Sequence, residues 1–500
     1  MNTELPPPAA TPLPEPSLNR QNTAGAGGGF RWLICGLLLF STTINSLDKF
    51  TISYLKSYFC SADGFGWSNT DFSNITSAFT IVWAVSTIFA GIIIDKIGSR
   101  LGLSLSVAVW STFEILNSFA GRIVGWHVVT RSLLGVGEAG AFPGALKTVA
   151  EWFPKKERAF ATGIFNSGSS IGAMIAALFV PWCLVMWRVD PVTGVDSHFL
   201  GIFHGWQMAL VLTGVIGFVW LGFWIFLGGV PAKLRGGRLS EAEYAYIHAD
   251  AEGGAEAGGA DARAGAQAGA KESAWEIAVK TFKLLAYRQT WAFALGKFMT
   301  DGIWWFYLFW LPDYLEKQFH LSVQFAGLLC FIVWGVAIPG SVLGGFIPMR
   351  FMNKGWPVYK ARFTSMLIFA ALPLCVLFVQ YFANSNIFGA HAWAYTFVAI
   401  VLICIAVAAH QMWSANLYTT PSDMFPKKAV ATVSGIGIAA GGLGGALVQK
   451  LAGWLTDHFE RLGHGHTAYT ILFVIAALAY LTAWVVMKIL VPRSRPVTDL

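Results

Sequence analysis

Charge is what this sequence most lacks. Asp, Glu, Lys and Arg make up 12% of its 500 residues, against about 25% in ordinary soluble domains. That scarcity, beside a hydrophobic fraction of 55% and a mean hydropathy of +0.57, excludes a water-soluble globular chain. Cysteine is sparse too. Of Cys35, Cys60, Cys183, Cys330, Cys375 and Cys404, most fall in apolar segments and none forms a C-x-x-C pair, so neither a disulfide framework nor a metal site is expected. No G-x-x-x-x-G-K-[ST] sequence supplies an ATP-driven engine, and no H-E-x-x-H or soluble catalytic domain supports an enzyme; no cofactor is expected. The first thirty residues lack a basic region followed by an apolar run and a cleavage site, so 1–30 is read as a retained, disordered cytoplasmic tail. The net charge of +7 is not gathered into one basic stripe, which argues against nucleic acid.

What is present in quantity is the apolar run. Windows of about twenty apolar residues, the length that crosses a hydrocarbon core of roughly 30 Å, recur from Trp32 almost to Leu490. They predict an all-α membrane protein of about twelve transmembrane helices, at 31–56, 71–94, 101–120, 124–150, 159–187, 205–228, 290–312, 324–347, 360–383, 391–418, 431–455 and 467–491. Lys96, Arg100, Lys155, Lys156, Arg158, Arg350, Lys354, Lys360, Arg362, Lys427, Lys428, Arg493 and Arg495 then share one side, while the other holds only scattered bases such as Lys56, Arg122, Arg188 and Lys317. The positive-inside bias places both termini in the cytoplasm. One long polar segment, with Ala/Gly-rich low complexity at Gly253–Ala270, divides the chain. The expected organisation is a first six-helix half at 31–228, a cytoplasmic linker at 229–288, a second half at 289–491 and a short tail at 492–500. The halves carry a trace of duplication: Phe153-Pro154-Lys155-Lys156 recurs as Phe425-Pro426-Lys427-Lys428, and the same offset pairs Gly163 with Gly435 and Gly172 with Gly444. Parallel repeats of a two-half transporter predict this.

Gly91-Ile-Ile-Ile-Asp95-Lys96-Ile-Gly98-Ser-Arg100 lies in the loop between spans two and three, where glycines permit a tight turn and Asp95 can meet a base or a helix N-terminus. In that position it resembles the G-x-x-x-D-[RK]-x-G signature of the major facilitator superfamily and reads as a gating loop; the second-half copy near Gly344–Arg350 is degenerate. Arg131-Ser-Leu-Leu-Gly-Val-Gly-Glu138-Ala-Gly-Ala-Phe-Pro143, Glu151-Trp152-Phe153-Pro154 and Gly163-Ile-Phe-Asn166-Ser-Gly-Ser-Ser-Ile-Gly172 are similar to the anion:cation symporter family within it. Leu47-Asp48-Lys49 resembles that family's Asp-Arg pair with Lys in place of Arg. The run Glu151–Ile175 and the Lys297/Asp301 spacing resemble the hexuronate transporters. The resemblance covers 31–491 and implies a fold of two six-helix halves. Gly135-Val-Gly137-Glu-Ala-Gly140 satisfies G-x-G-x-x-G but sits inside an apolar helix with no preceding strand, so it is not a dinucleotide site.

The buried charges carry the chemistry. Each charge in a bilayer core is costly, about 2.5–3.5 kcal/mol on insertion scales, so Asp48, Lys49, Arg131, Glu138, Lys297 and Asp301 require partners or a wet cavity. Arg131 and Lys49 are candidate ligands for a substrate carboxylate, the guanidinium as a bidentate fork and the ammonium as a movable point charge. Asp48 and Glu138 are candidate proton carriers, because burial favours the neutral form of a carboxyl and a neighbouring guanidinium favours the anion. An ion pair that only locks helices is the competing reading for each. Lys297 and Asp301, four residues apart, pair along one helix or else Lys297 supplies the second half's positive charge. Trp304, Trp305 and Tyr307 offer faces for a sugar ring or anchors at the membrane interface. Asn166, Ser169, Gln411 and Asn416 are polar groups able to bond hydroxyls, whereas His410 is read as satisfied by a neighbouring helix. The expectation is a monomeric inner-membrane carrier that imports a hexuronate with protons. Another organic anion, an aldonate or aldarate, is the alternative, and a non-transporting solute sensor the reading from another class.

Overall fold

The computed structural model describes residues 29–187, 198–200, 203–229, 231–252, 283–384, 392–493 and 497; the Gly253–Ala270 low complexity and most of both expected tails lie outside them. Among the described residues β pairing is confined to two isolated bridges, Phe199 with Phe203 and Arg235 with Leu239. The first half holds α1 (Phe30–Cys60), α2 (Asn69–Ile97), α3 (Ser99–Asn117), α4 (Val124–Glu138), α5 (Ala141–Trp152), α6 (Lys155–Met186) and α7 (Gly205–Leu227). Short α8 (Pro231–Leu234) and α9 (Glu241–Glu252) follow. The second half holds α10 (Arg288–Phe319), α11 (Val323–Asn353), α12 (Val358–Ala371), a 3-10 stretch Leu372–Phe378, α13 (Val379–Asn384), α14 (Ala392–Leu417), α15 (Thr420–Met424), α16 (Lys427–Arg461) and α17 (Gly465–Leu490).

Nine helices among the described residues are long and apolar enough to cross a membrane. The three other expected spans are helical as well: α3 and α10, whose apolarity is lowered by Glu114 and by Lys297, Asp301 and Asp313, and α4 with α5, which at 15 and 12 residues are each too short to cross alone. The single span expected at 124–150 is broken after Glu138. Pro143 has no N–H to offer the Ala139 carbonyl, and Gly137, Gly140 and Gly144 lie so close to Trp110, Ser106 and Leu103 of α3 that a Cβ would collide. Around Pro373 the ninth expected span likewise tightens into its 3-10 stretch.

The repeat seen in the sequence is a repeat in space. Pro154 and Pro426 cap α6 and α16 with the same extended geometry (φ −62°, ψ 154° and φ −62°, ψ 151°). Gly172 lets α6 lie against the Thr43 carbonyl of α1, and its counterpart Gly444 lets α16 lie against the Phe298 carbonyl of α10. The halves meet through exchanged pairs, α2 on α16 and α6 on α11. On α2 the meeting face is a stripe of hydroxyls, Ser73, Thr76, Ser77 and Thr80, each bonded back to a carbonyl of its own helix. Gly453 and Gly442 of α16 sit over Ser73 and Ala84. Outward faces are apolar: on α7, Val215, Phe218, Val219 and Phe226 are exposed while Trp220 and Trp224 are buried and donate to the carbonyls of Leu37 and Arg100 (2.7 and 3.1 Å).

The two ends of the bundle differ. At the end that carries loops 61–68 and 320–322 the halves are locked together. Lys56 of α1 pairs with Asp313 of α10, both fully buried, and donates to Asn69 Oδ1 (2.8 Å), while Tyr469 donates to Asp313 (2.7 Å). Asp457 of α16 takes hydrogen bonds from the backbone of Asn69 and Thr70 (2.8 and 2.7 Å), and Lys317 reaches Glu460 (2.9 Å). At the other end, which carries the start of α1, the end of α17 and α9, Gly163 and Gly435 have open space beside their Cα atoms, and Asn166 and Ser169 of α6 are exposed. The segment expected as a plain linker begins with structure: α9 docks on the first half, where buried Glu243 accepts from the Arg31 backbone and guanidinium (3.0 and 3.2 Å) and Tyr246 donates to Glu157 (2.6 Å).

Candidate functional site

Halfway along α1, Asp48 and Lys49 face the broken α4. With a rise of about 1.5 Å per residue, they lie roughly 27 Å from the start of α1 and 18 Å from its end. Lys49 Nζ sits 3.3 Å from Glu138 Oε2, donates to Asn45 Oδ1 (2.7 Å) and lies 5.2 Å from the ring of Trp83. Arg131, one seven-residue step before Glu138 on α4, turns elsewhere. Its Nη1 donates to Glu114 Oε2 of α3 (2.8 Å), its Nη2 approaches the Asp48 backbone carbonyl (3.5 Å), and its guanidinium lies 5.2 Å from the Phe79 ring. Asp48 is fully buried and neither carboxylate oxygen has a hydrogen-bond donor. Thr213 of α7 is beside it but gives its hydroxyl to the Leu210 carbonyl (3.1 Å). The cluster thus holds three acids and two bases, and Lys49, with 15% of its side chain exposed, is the member that touches solvent.

Across the interface, α10 presents Lys297, Asp301, Trp304 and Trp305. Lys297 and Asp301 do pair, at 2.5 Å, and Lys297 also donates to Tyr418 Oη (2.8 Å) and lies 3.9 Å from its ring. Gly441 of α16 leaves the space that Asp301 fills. Trp305 meets Trp83 edge-on at 5.5 Å, so Trp83 stands between Lys49 of one half and Trp305 of the other. Trp304 stacks on His410 (4.6 Å, 18°) and meets Trp334, which in turn meets Phe50 of α1 (4.8 Å). His410 is bonded to Tyr480 Oη (2.8 Å), the neighbouring-helix partner expected for it.

The remaining candidates divide. Ser169 is exposed and shares a hydrogen bond with Ser46 of α1 (3.2 Å); Asn166 is exposed one turn away, and Gln411 is half-buried on α14. Tyr307 is buried beside Cys375 and Tyr480, away from Trp83. The Asn416 amide donates to the carbonyls of Gly344 and Met412 (2.7 and 2.9 Å), which ties α14 to α11. In the loop motif, Gly98 ends α2 at φ +89°, a conformation that favours glycine. Gly91 has open space beside it, Lys96 is exposed, and Arg100 donates to the Ile225 carbonyl of α7 (2.7 Å). Asp95 lies in the last turn of α2, and its side chain is outside the described residues. Sequence reasoning missed Glu114, Trp83 and the Lys56–Asp313 pair. Glu114 is an acid inside the expected span 101–120 and Asp313 one at the edge of 290–312, which is the one signal that marks them.

The family model described as Major Facilitator Superfamily matches residues 38–449. The hexuronate transporter of Escherichia coli (strain K12) is 28% identical over 460 residues, 92% of this chain and 94% of that protein. The D-galactonate transporter of Escherichia coli O6:H1 is 25% identical over 438 residues, 87% and 91% of the two chains. Among solved structures, a bacterial homologue of the human lysosomal transporter Spinster, in an inward-facing and occupied conformation, superposes with a TM-score of 0.68 at 18% identity, covering 93% of this chain and 98% of that one.

Proposed function

Because the chain belongs to the major facilitator superfamily, we propose that it imports a sugar acid, most specifically a hexuronate such as glucuronate or galacturonate, together with protons by alternating access. The observation that carries this reading is the buried cluster of Asp48, Lys49, Glu114, Arg131 and Glu138 at mid-depth, facing Lys297, Asp301, Trp304 and Trp305 across the junction of the halves. Opposite charges on both sides of a rocking interface suit a carboxylate cargo, and unpartnered Asp48 suits a proton. The similarity to a hexuronate transporter favours the substrate class, and that to a galactonate transporter keeps an aldonate as the second reading.

In the proposed cycle Asp48 and Glu138 take protons while the site faces outward. The substrate carboxylate binds Arg131 with Lys49 or Lys297, and Ser169, Asn166 and Gln411 offer bonds to hydroxyls. Closure of the Lys56–Asp313 end and opening of the other expose the load to the cytoplasm, where proton loss promotes release. The carrier is a monomer of the inner membrane, with both termini and α9 on the cytoplasmic side. Competitive uptake of glucuronate, galacturonate, galactonate and glucarate into proteoliposomes at two pH values tests it. Hexuronates should compete best and uptake should rise with an inward proton gradient; binding without flux would mark a sensor instead.

A further inference from the structure

We infer that Glu114 is a positioning residue of the substrate site: it holds Arg131 while the site is empty, and the substrate carboxylate takes its place on the guanidinium. The inference rests on the sugar-acid reading above and adds to it a third acid. Glu114 is fully buried on α3, Oε2 takes the Arg131 Nη1 bond at 2.8 Å, and Oε1 has no donor. Arg131 Nε is buried and unpartnered as well, but Nη2 beside it is turned to the Asp48 carbonyl (3.5 Å), so no edge of the fork has both of its nitrogens free while Glu114 holds Nη1. A guanidinium has five N–H donors in a fixed fork, and a bidentate grip on an incoming carboxylate needs two of them side by side. Full engagement of a substrate therefore competes with Glu114.

Charge counting gives the competition a second effect. The groups facing Glu114 are Asp48 from α1, Arg131 and Glu138 from α4, and the uncharged Thr213 from α7, with Lys49 of α1 paired to Glu138; His127, the other titratable group of α4, is tied to the Gly121 carbonyl (3.0 Å). Three acids and two bases in a water-poor interior are neutral when one acid holds a proton; Glu114 pairs with Arg131 and Glu138 with Lys49, so Asp48, which has neither a donor nor an ion pair, is the one placed to hold it. A substrate monoanion on Arg131 adds one negative charge and releases the Glu114 carboxylate into a buried site without a cation. Neutrality then calls for one more proton, which enters from water along the open flank of Lys49 and rests on Glu114. No other bond is made or broken, and the same event that seats the anion draws in the proton.

Two measurements on the purified full chain test this. In infrared spectra without substrate, the protonated-carboxyl absorption should fall by one carboxyl in Asp48→Asn and by one in Glu114→Gln, where two acids face two bases. Absorption that stays at the wild-type level in either variant overturns the assignment. In proteoliposomes loaded with labelled glucuronate, counterflow should show apparent affinity tighter by about tenfold in Glu114→Gln, the low end of what a charge-assisted hydrogen bond is worth, with a flatter pH profile. Glu114→Asp, whose shorter side chain reaches Arg131 less well, should gain less in the same direction. Unchanged or weaker affinity in a variant of wild-type thermal stability overturns the inference, and Glu114→Asp decides it if Glu114→Gln does not fold. A wild type that exchanges no glucuronate, galacturonate or galactonate defeats the transport reading alone, since the infrared arm still decides the role of Glu114.

Discussion

Replacing Asp313 by Ala should open the locked end of the bundle. Among the described residues Asp313 is the acid that pairs directly with buried Lys56; without it the ammonium keeps Asn69 Oδ1 at 2.8 Å, the faces of Trp310 and Phe72 at 4.3 and 5.7 Å, and Glu316 beyond salt-bridge reach. Removing one partner of a buried pair is worth about 3–5 kcal/mol because the other charge is left stranded. That loss falls on the arrangement with this end closed, since separation of the halves lets water reach Lys56. At about 1.4 kcal/mol per factor of ten, 3 kcal/mol moves the balance between end-closed and end-open states by roughly a hundredfold. Spin labels at exposed Ala62 and His464, on the two sides of the lock, would report the change by pulsed electron resonance. A longer distance should become the main population in Asp313→Ala. Lys56→Met combined with Asp313→Leu leaves no stranded charge and should return the short distance. If Asp313→Ala gives the wild-type distribution in well-folded protein, the pair is not what holds this end shut.

Three further outcomes are expected. Glu138→Gln, which keeps the shape of the protonated acid but cannot titrate, should exchange labelled for unlabelled substrate while losing accumulation driven by an imposed pH gradient; accumulation at the wild-type level removes Glu138 from the coupling. Lys297→Ala should cut the affinity for sugar acids. Activity restored by adding Asp301→Ala would make the 2.5 Å pair purely structural. Gly444→Val places a branched side chain where α16 meets the Phe298 carbonyl, so yield and melting temperature should fall by the equivalent of about 1–3 kcal/mol or more, as overpacking does; an unchanged melting temperature would mean that α10 and α16 separate easily.

Sequence patterning reads helices well because lipid imposes it: helices lie at the expected spans, and Gly172 and Gly444 make matching close approaches in space. It reads partners poorly. Arg131 and Glu138 stand seven residues, about 10 Å, apart on α4, and nothing in the order of residues joins Arg131 to Glu114 or Glu138 to Lys49, because those bonds cross between helices. Lys56 looked like a loop base because apolarity fades there, whereas α1 runs on to Cys60 and buries it. Asn416 shows the limit of residue chemistry: an amide that suits a sugar hydroxyl suits a backbone carbonyl equally, and two carbonyls hold it.

The hydroxyl stripe on α2 bears on how the chain is made. Its partner α16 begins roughly 330 residues after α2 ends, so at about 5–20 residues per second a ribosome leaves that face of α2 bare for some fifteen seconds to a minute. An open polar face in hydrocarbon would invite mispairing with whichever helix emerged next. Here Ser73, Thr76, Ser77 and Thr80 are already satisfied by carbonyls of their own helix, so the nascent first half can wait in lipid with no donor unspent. Small hydroxyls also leave the surface nearly flat, ready for the glycines of α16 to close on it. The two halves are thereby suited to separate synthesis: expressed as two polypeptides, each should insert on its own and find the other along this seam.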